Sequence, residues 1–295
     1  MTAPLRFGLI GVGRWGKVYI KTLLTMPDRC RLTHLATSKP EHAALVPHPV
    51  TVLSDWRALL RSDCDAVIIA TPPQTHAEIL EACIEAGKPC IVEKPLCLDM
   101  ATAERLHAKV NASGVAVLVN HTQLFDSAYR TLKHAVEKAE EPIRLILSEG
   151  MGLGPFRTDA PPLWDWGSHD ISLCLDLLGA LPVRVEMLGG PRSPGGIPEL
   201  VSVRLEFPGE TCAWIHAGCL SPQKRRGLSV FTDSRLYVWD AQGPERLTLY
   251  AITFSRRYAG GIPEPLQPAP MSVPSNLEPM TLMVTIADLR AALGK

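Results

Sequence analysis

The sequence predicts an α/β chain: an N-terminal Rossmann-type, doubly wound parallel sheet, then an α+β half with a largely antiparallel open sheet. Three observations predict it. Over the first 120 residues short β-rich runs alternate with longer helical patterns, which calls for a parallel sheet covered on both faces. A glycine-rich turn, Gly11-Val12-Gly13-Arg14-Trp15-Gly16, joins the first strand to the first helix. Beyond Asn120, Val201, Val203, Leu205 and Phe207 alternate with Ser202, Arg204 and Glu206, the period-two pattern of a sheet with one buried face. The expected domains are residues 1–122 and 123–295.

The whole chain sets the bounds. Its 295 residues suit two domains, at roughly 100–200 residues each. With 46% hydrophobic and 20% charged residues it has the composition of a soluble globular protein. Thirty basic residues balance thirty acidic ones, so no global field argues for nucleic acid or an anionic membrane surface. The run Lys224-Arg225-Arg226 is taken as a solvated turn. No apolar run reaches the length of a membrane span, and Leu5 to Val12 reads as a strand rather than a signal peptide. Eight cysteines carry no CxxC spacing, which disfavours zinc and disulfides and makes a reducing cytoplasm the expected location.

Taken in order, the first-half strands are Leu5–Ile10, Arg31–Ala36, Val50–Leu53, Ala66–Ala70, Cys90–Val92 and Val115–Val119. Thr75-His76-Ala77-Glu78 has the spacing of a capping box, with Ile79, Cys83 and Ala86 on one face and Gly87 as the stop. Asp99 can cap the next helix, which Gly114 ends. In the second half, helices are predicted over Ser127–Ala139 and Ser168–Leu178. Strands are predicted over Ile143–Ser148, Val183–Leu188, Leu200–Phe207, Cys212–Ala217, Leu228–Thr232, Arg235–Trp239 and Arg246–Tyr250. Pro/Gly-rich loops fall at Gly189–Pro198 and Gly260–Pro274, and a last helix covers Pro279 to Leu293.

Five stretches carry chemistry. In the glycine-rich turn, glycines suit a tight bend, close approach to a pyrophosphate and close helix packing, with phosphates on the helix N-terminus. Gly11, Gly13, Arg14, Trp15 and Gly16 are therefore expected at a dinucleotide. The second strand ends Ala36-Thr37-Ser38-Lys39, with no acid before Glu41. The missing carboxylate, with Ser38, Lys39 and Arg14 as phosphate ligands, favours NADP(H) over NAD(H); the alternative is a solvated Lys39. After the fourth strand Thr71-Pro72-Pro73 turns the chain beside the cofactor and His76 follows.

The fourth stretch is Pro89-Cys90-Ile91-Val92-Glu93-Lys94-Pro95, a buried strand running into a charged pair. A lone Lys at a strand end is most simply solvated, but Pro95 restricts Lys94 to extended geometry and so aims it. The fifth is Trp164-Asp165-Trp166-Gly167-Ser168-His169-Asp170. Asp165 and His169 stand four apart, a spacing that on one helix lets the carboxylate orient the imidazole. The alternative is that Asp165 or Ser168 merely caps the helix. Further metal ligands are missing, so no metal is expected.

Together these motifs resemble the Gfo/Idh/MocA oxidoreductases over nearly the whole chain, with Glu93-Lys94-Pro95 the most specific element. The resemblance implies that Lys94 and His169 flank the reacting carbon with Asp165 beside them, that the Lys94–Pro95 peptide is cis, and that Asn120 lies near the nicotinamide. It also implies an open sheet that serves as an oligomer interface, in a homodimer or homotetramer. The Trp-Asp-Trp-Gly-Ser-His-Asp stretch is most similar to members acting on sugars or sugar nucleotides, with Arg157 and Trp164 beside the substrate. Two departures stand out: the chain stops at Lys295 where the family usually continues, and Gly150–Trp164 is short and Pro/Gly-rich.

The expected function is hydride transfer between NADP(H) and a secondary alcohol or ketone of a sugar, polyol or sugar-nucleotide-like substrate. Two alternatives stand beside it: a non-catalytic NADP-binding sensor, and a reductase of an imine or tetrapyrrole-type substrate on the same fold.

Overall fold

The structure, a computed structural model, describes residues 3–47, 49–154, 156, 161–252 and 267–273. Arg157 and the expected helix Pro279–Leu293 lie outside the described residues. The chain forms two compact units, one running to Asn120 and the other beginning at His121.

In chain order the first unit holds β1 (Leu5–Ile10), α1 (Arg14–Leu24), β2 (Cys30–Ala36), β3 (Thr51–Leu53), α2 (Trp56–Leu60), β4 (Ala66–Ile69), α3 (His76–Glu85), β5 (Cys90–Glu93), α4 (Met100–Ser113) and β6 (Val117–Asn120). The six strands are parallel in the order β3-β2-β1-β4-β5-β6. The winding reverses between β1 and β4, and ligands of such sheets bind at the carboxyl ends beside that switch point.

Both faces are buried, as the uninterrupted apolar strands require. Leu5, Phe7 and Leu9 of β1 pack with Tyr19, Ile20 and Leu23 of α1. On the other face Val67 and Ile69 meet Leu59, Leu80, Cys83 and Leu106 from α2, α3 and α4. Each such Leu contributes about 1.5–3 kcal/mol by leaving water.

Asp99 caps α4 by accepting from the Thr102 N–H at 2.8 Å, and Gly114 ends that helix at φ +67°. The expected capping box at Thr75 does not form. The preceding Pro72-Pro73 turn is already helical, so the Thr75 hydroxyl donates backward to Thr71 Oγ1 (2.7 Å) and the Pro72 carbonyl (2.8 Å). Ala86 is exposed; Leu80 and Ile84 join Ile79 and Cys83 on the buried side of α3.

The second unit holds α5 (Ser127–Ala139), β7 (Leu145–Leu153), α6 (Ser168–Leu178), β8 (Arg184–Gly189), β9 (Leu200–Glu206), β10 (Cys212–Gly218), β11 (Leu220–Phe231), β12 (Arg235–Asp240), β13 (Leu247–Ala251) and β14 (Ala269–Pro270). They form one sheet, β14-β13-β12-β11-β7-β10-β9-β8, antiparallel except for the β7–β10 pair. α5 and α6 bury one face over Ile146, Val203, Ile215, Val230 and Trp239. The other presents Leu147 and its register partner Trp214, 38% and 40% exposed.

Three expectations change here. β11 begins at Leu220 rather than Leu228, so Lys224-Arg225-Arg226 is strand and not a solvated turn. Two of its three charges meet carboxylates: Arg225 donates to Glu149 on β7 at 3.3 Å, and Arg226 turns to the opposite, helix-covered face. β7 runs on to Leu153 because β10 and β11 flank it on both edges. Ala269–Pro270, inside an expected loop, pairs with β13.

Candidate functional site

The first unit presents a phosphate cradle. Gly11 sits at φ +94°, and a Cβ there would meet the Ala70 carbonyl oxygen at 2.7 Å. A Cβ on Gly16 would strike the Gly11 carbonyl, so only glycine lets α1 start this close to the turn. A Cβ on Gly13 would meet nothing within 4 Å. That open space lies at the N-cap of α1, which has no side-chain cap and no acid in its first turn. The helix start thus offers its orphan N–H groups to an anion. The residues present fit a dinucleotide pyrophosphate. Arg14 and Trp15 are exposed beside them.

At the end of β2, Ser38 and Lys39 are exposed and no acid is present. Thr37 Oγ1 takes the Lys39 N–H at 3.2 Å and lies 2.7 Å from His42 Nδ1, a neighbour the sequence had not singled out.

His76 lies inside the protein. It is fully buried, its Nδ1 2.9 Å from the Pro95 carbonyl and its Nε2 2.9 Å from the Thr71 carbonyl. Both ring nitrogens are thus engaged by backbone carbonyls. Burial pushes its pKa down, against the two carbonyls, which favour the protonated ring. Through them it ties the Thr71-Pro72 turn to the chain just after Lys94. Pro72 is exposed and Lys94 half-buried, and the Lys94–Pro95 peptide is cis.

Glu93 and Asn120, adjacent on β5 and β6, are joined by Tyr19 of α1. The Tyr19 hydroxyl donates to Glu93 Oε1 (2.9 Å), and Asn120 Nδ2 donates to that oxygen (2.7 Å) and to the phenol oxygen (2.6 Å). All three are under 5% exposed. Burial pushes the Glu93 pKa up; the donors and the Lys94 charge pull the other way. Tyr19 was not foreseen. Its signal was a polar tip on the inward stripe of α1, three residues after Gly16.

In the second unit, Trp164, Asp165 and Trp166 lie in a π-helical turn, Leu163–Gly167, that runs directly into α6. The Trp164 and Asp165 N–H groups both donate to the Pro161 carbonyl, at 2.9 and 3.0 Å. Such turns widen the helix locally and recur at functional sites. His169 follows in the first turn of α6, 6% exposed. The His121 ring stands edge-on to it, centroids 5.8 Å apart. α6 is held to α5 by Tyr129, which donates to Asp176 at 2.6 Å, and by Lys133, 2.8 Å from the same carboxylate.

Beside His169, Asp170 is wholly buried. It accepts from Ser148 Oγ at 2.6 Å and from Arg226 Nη1 at 3.0 and 2.9 Å. Burial pushes its pKa up and the guanidinium opposes that. Arg226 lies over the Trp166 ring, 5.5 Å from its centre. Its sequence signal was the alternation Arg226, Leu228, Val230, which places the arginine on the inward face.

The sequence profile described as an oxidoreductase family with an NAD-binding Rossmann fold matches residues 5–121. The 4-carboxy-2-hydroxymuconate-6-semialdehyde dehydrogenase of a Sphingobium species is 34% identical over 218 residues, 68% of each chain. The chain belongs to the Gfo/Idh/MocA oxidoreductases. Within that family, inositol 2-dehydrogenase 2 of Paenarthrobacter aurescens is 28% identical, over 67% of this chain and 62% of its own length. A crystal structure from Magnetospirillum magnetotacticum, described as an oxidoreductase, is 39% identical and superposes with a TM-score of 0.85, covering 97% of this chain and 92% of that one. A Gfo/Idh/MocA member carries a Rossmann domain and a sheet-rich second domain, and both are present. Among the described residues no helix is long and apolar enough to cross a membrane, and no cluster of His, Cys, Asp and Glu could hold a metal.

Proposed function

We propose that the protein transfers hydride between NADP(H) and a secondary alcohol or ketone of a sugar, polyol or sugar-nucleotide-like substrate. The observation that carries the reading is the open space at Gly13 on the uncapped start of α1, which suits a pyrophosphate. The inositol 2-dehydrogenase among the relatives supports the polyol class. When bound, the nicotinamide supplies the hydride acceptor or donor.

The chain's own residues do the rest. His169, in the first turn of α6, takes the hydroxyl proton on a ring nitrogen as general base. Lys94 donates from Nζ to the same oxygen and stabilises negative charge as it develops. Asp165, one turn before His169, orients the imidazole, and Trp164 borders the substrate. Asn120 and Glu93 stand at the nicotinamide end of the dinucleotide site.

The exposed Ser38 and Lys39, with no acid at the end of β2, support NADP(H) over NAD(H). The sheet face carrying Leu147 and Trp214 supports assembly as a homodimer or homotetramer. Eight free thiols support a reducing compartment, the cytoplasm.

Lys94→Ala and His169→Ala are each expected to lower kcat by about 100-fold or more while dinucleotide binding persists. Near-normal turnover in both variants would overturn the mechanism. Parallel titration with NADPH and NADH tests the cofactor: a tenfold preference for NADH (about 1.4 kcal/mol) would reverse the assignment of Thr37–Lys39.

A further inference from the structure

Arg226 is spent in an unusual way. An arginine that serves only to neutralise a buried carboxylate normally presents its fork, Nε–H with Nη2–H, or its two Nη groups, so that each carboxylate oxygen meets its own nitrogen. Here a single nitrogen, Nη1, serves both oxygens of Asp170, at 3.0 and 2.9 Å. Nε and Nη2 make no hydrogen bond among the described residues. The Arg226 side chain is 9% exposed, so the group is held almost entirely inside the protein yet is not sealed from it.

The fork is also fixed in place. Ser148 and Arg226 hold Asp170, the Trp166 ring lies 5.5 Å from the guanidinium carbon, and Gly150 leaves the room that Nη1 fills. Asp170 follows His169 on α6, and Trp166 stands in the π-turn before it. Both neighbours of the guanidinium therefore belong to the stretch assigned to substrate.

The geometry points to Arg226 as a substrate-binding residue whose Nε/Nη2 fork takes a planar carboxylate, so that the substrate is a hydroxy or keto acid rather than a neutral polyol. The inference rests on the reading of the α6 start as a substrate site. Carboxylate is favoured over phosphate by charge. Asp170 already cancels the charge of Arg226, so the pair offers a planar donor fork with no spare positive charge, which a singly charged carboxylate burdens less than a phosphate dianion, and the neighbouring Arg225 turns away to Glu149 on the other face of the sheet. A dianion would need a second cation.

The test measures binding by calorimetry to protein saturated with NADPH, and in parallel with NADH. Three hydroxy acids, D-glucuronate, D-gluconate and D-galacturonate, are set against D-glucose, D-glucitol and glucose 6-phosphate. At least one acid is expected to bind tenfold or more tightly than every neutral compound and the phosphate. Arg226→Lys keeps a cation for Asp170 but has no fork, and is expected to remove that preference with the melting temperature changed by only a few degrees. If Arg226→Lys does not fold, the paired variant Asp170→Asn with Arg226→Gln, which buries no charge, is read the same way. The inference is overturned if neutral compounds or the phosphate bind best, or if the preference survives the loss of the fork. An acid that binds through Arg226 yet is neither oxidised nor reduced with either dinucleotide upholds the inference and overturns the dehydrogenase reading instead.

Discussion

Tyr19 and Glu93 stand 2.9 Å apart, phenol oxygen to carboxylate oxygen, 74 residues apart in the chain. Asn120 donates to both and closes a three-membered ring of hydrogen bonds. Tyr19→Phe removes the donor to Glu93 and the acceptor for one Asn120 N–H in a site with almost no water. The expected cost is about 1–3 kcal/mol, for buried groups left unsatisfied, visible as a lowered melting temperature. The lost bond stabilised the charged carboxylate, and burial already raises the Glu93 pKa. The variant's deficit should therefore be largest at neutral pH and shrink as pH falls and Glu93 protonates. A deficit independent of pH would show that Glu93 is not the partner that matters.

Gly13 and Gly16 are expected to separate binding from folding. Gly16→Ala places a methyl on the Gly11 carbonyl, an overpacking that costs about 1–3 kcal/mol and should lower the melting temperature of the free protein. Gly13→Ala meets nothing in the free protein and should leave its stability nearly unchanged while weakening dinucleotide binding at least tenfold. Melting curves with and without NADPH check both. Equal binding by wild type and Gly13→Ala would remove the cradle from the cofactor site.

Glu141 gives a stability prediction with a defined sign. Its carboxylate accepts from Thr232 Oγ1 (2.7 Å), Ser234 N (3.0 Å), Ser234 Oγ (2.7 Å) and Arg235 Nη1 (2.5 Å), fastening the turn between β11 and β12. The bonds from Thr232 and Ser234, more than the Arg235 charge, pull its pKa from 4.5 down to about 2. A depressed carboxylate stabilises the fold above its ordinary pKa and loses that contribution as pH falls through the folded value. Glu141→Gln should melt below wild type at pH 7, and the gap should close between about pH 4.5 and pH 2. A gap constant over that range would mean the charged form contributes nothing.

Local signals reached far in this chain. β1, α5 and α6 fall where periodicity and end signals put them, because a strand of Leu, Phe and Ile, or a helix between Ser168 and Gly179, is decided by residues close in sequence. Asp99 and Gly114 delimit α4 for the same reason. The failures share the opposite cause. Lys224-Arg225-Arg226 reads as a turn until Glu149 and Asp170 are known to stand across from it, and Asp170 is 56 residues away. Thr75-His76-Ala77-Glu78 has the right spacing for a cap, but Pro72 and Pro73 turn the chain helical too early for Thr75 to serve. In the site, glycine spacing marked the cradle, whereas the roles of Tyr19 and Arg226 became visible through partners on elements distant in sequence.

Gly150 imposes an order on change. The oxygen of Asp170 and the Nη1 of Arg226 fill the space where its side chain would be. No larger residue can enter at 150 while both charges remain, and removing either charge first strands the other in the interior, at about 3–5 kcal/mol. Positions 150, 170 and 226 therefore form a unit that single substitutions can leave only by crossing a valley of unstable intermediates. A selection for new substrate range in this protein should find its solutions around that unit, and reach through it only from a strongly stabilised parent.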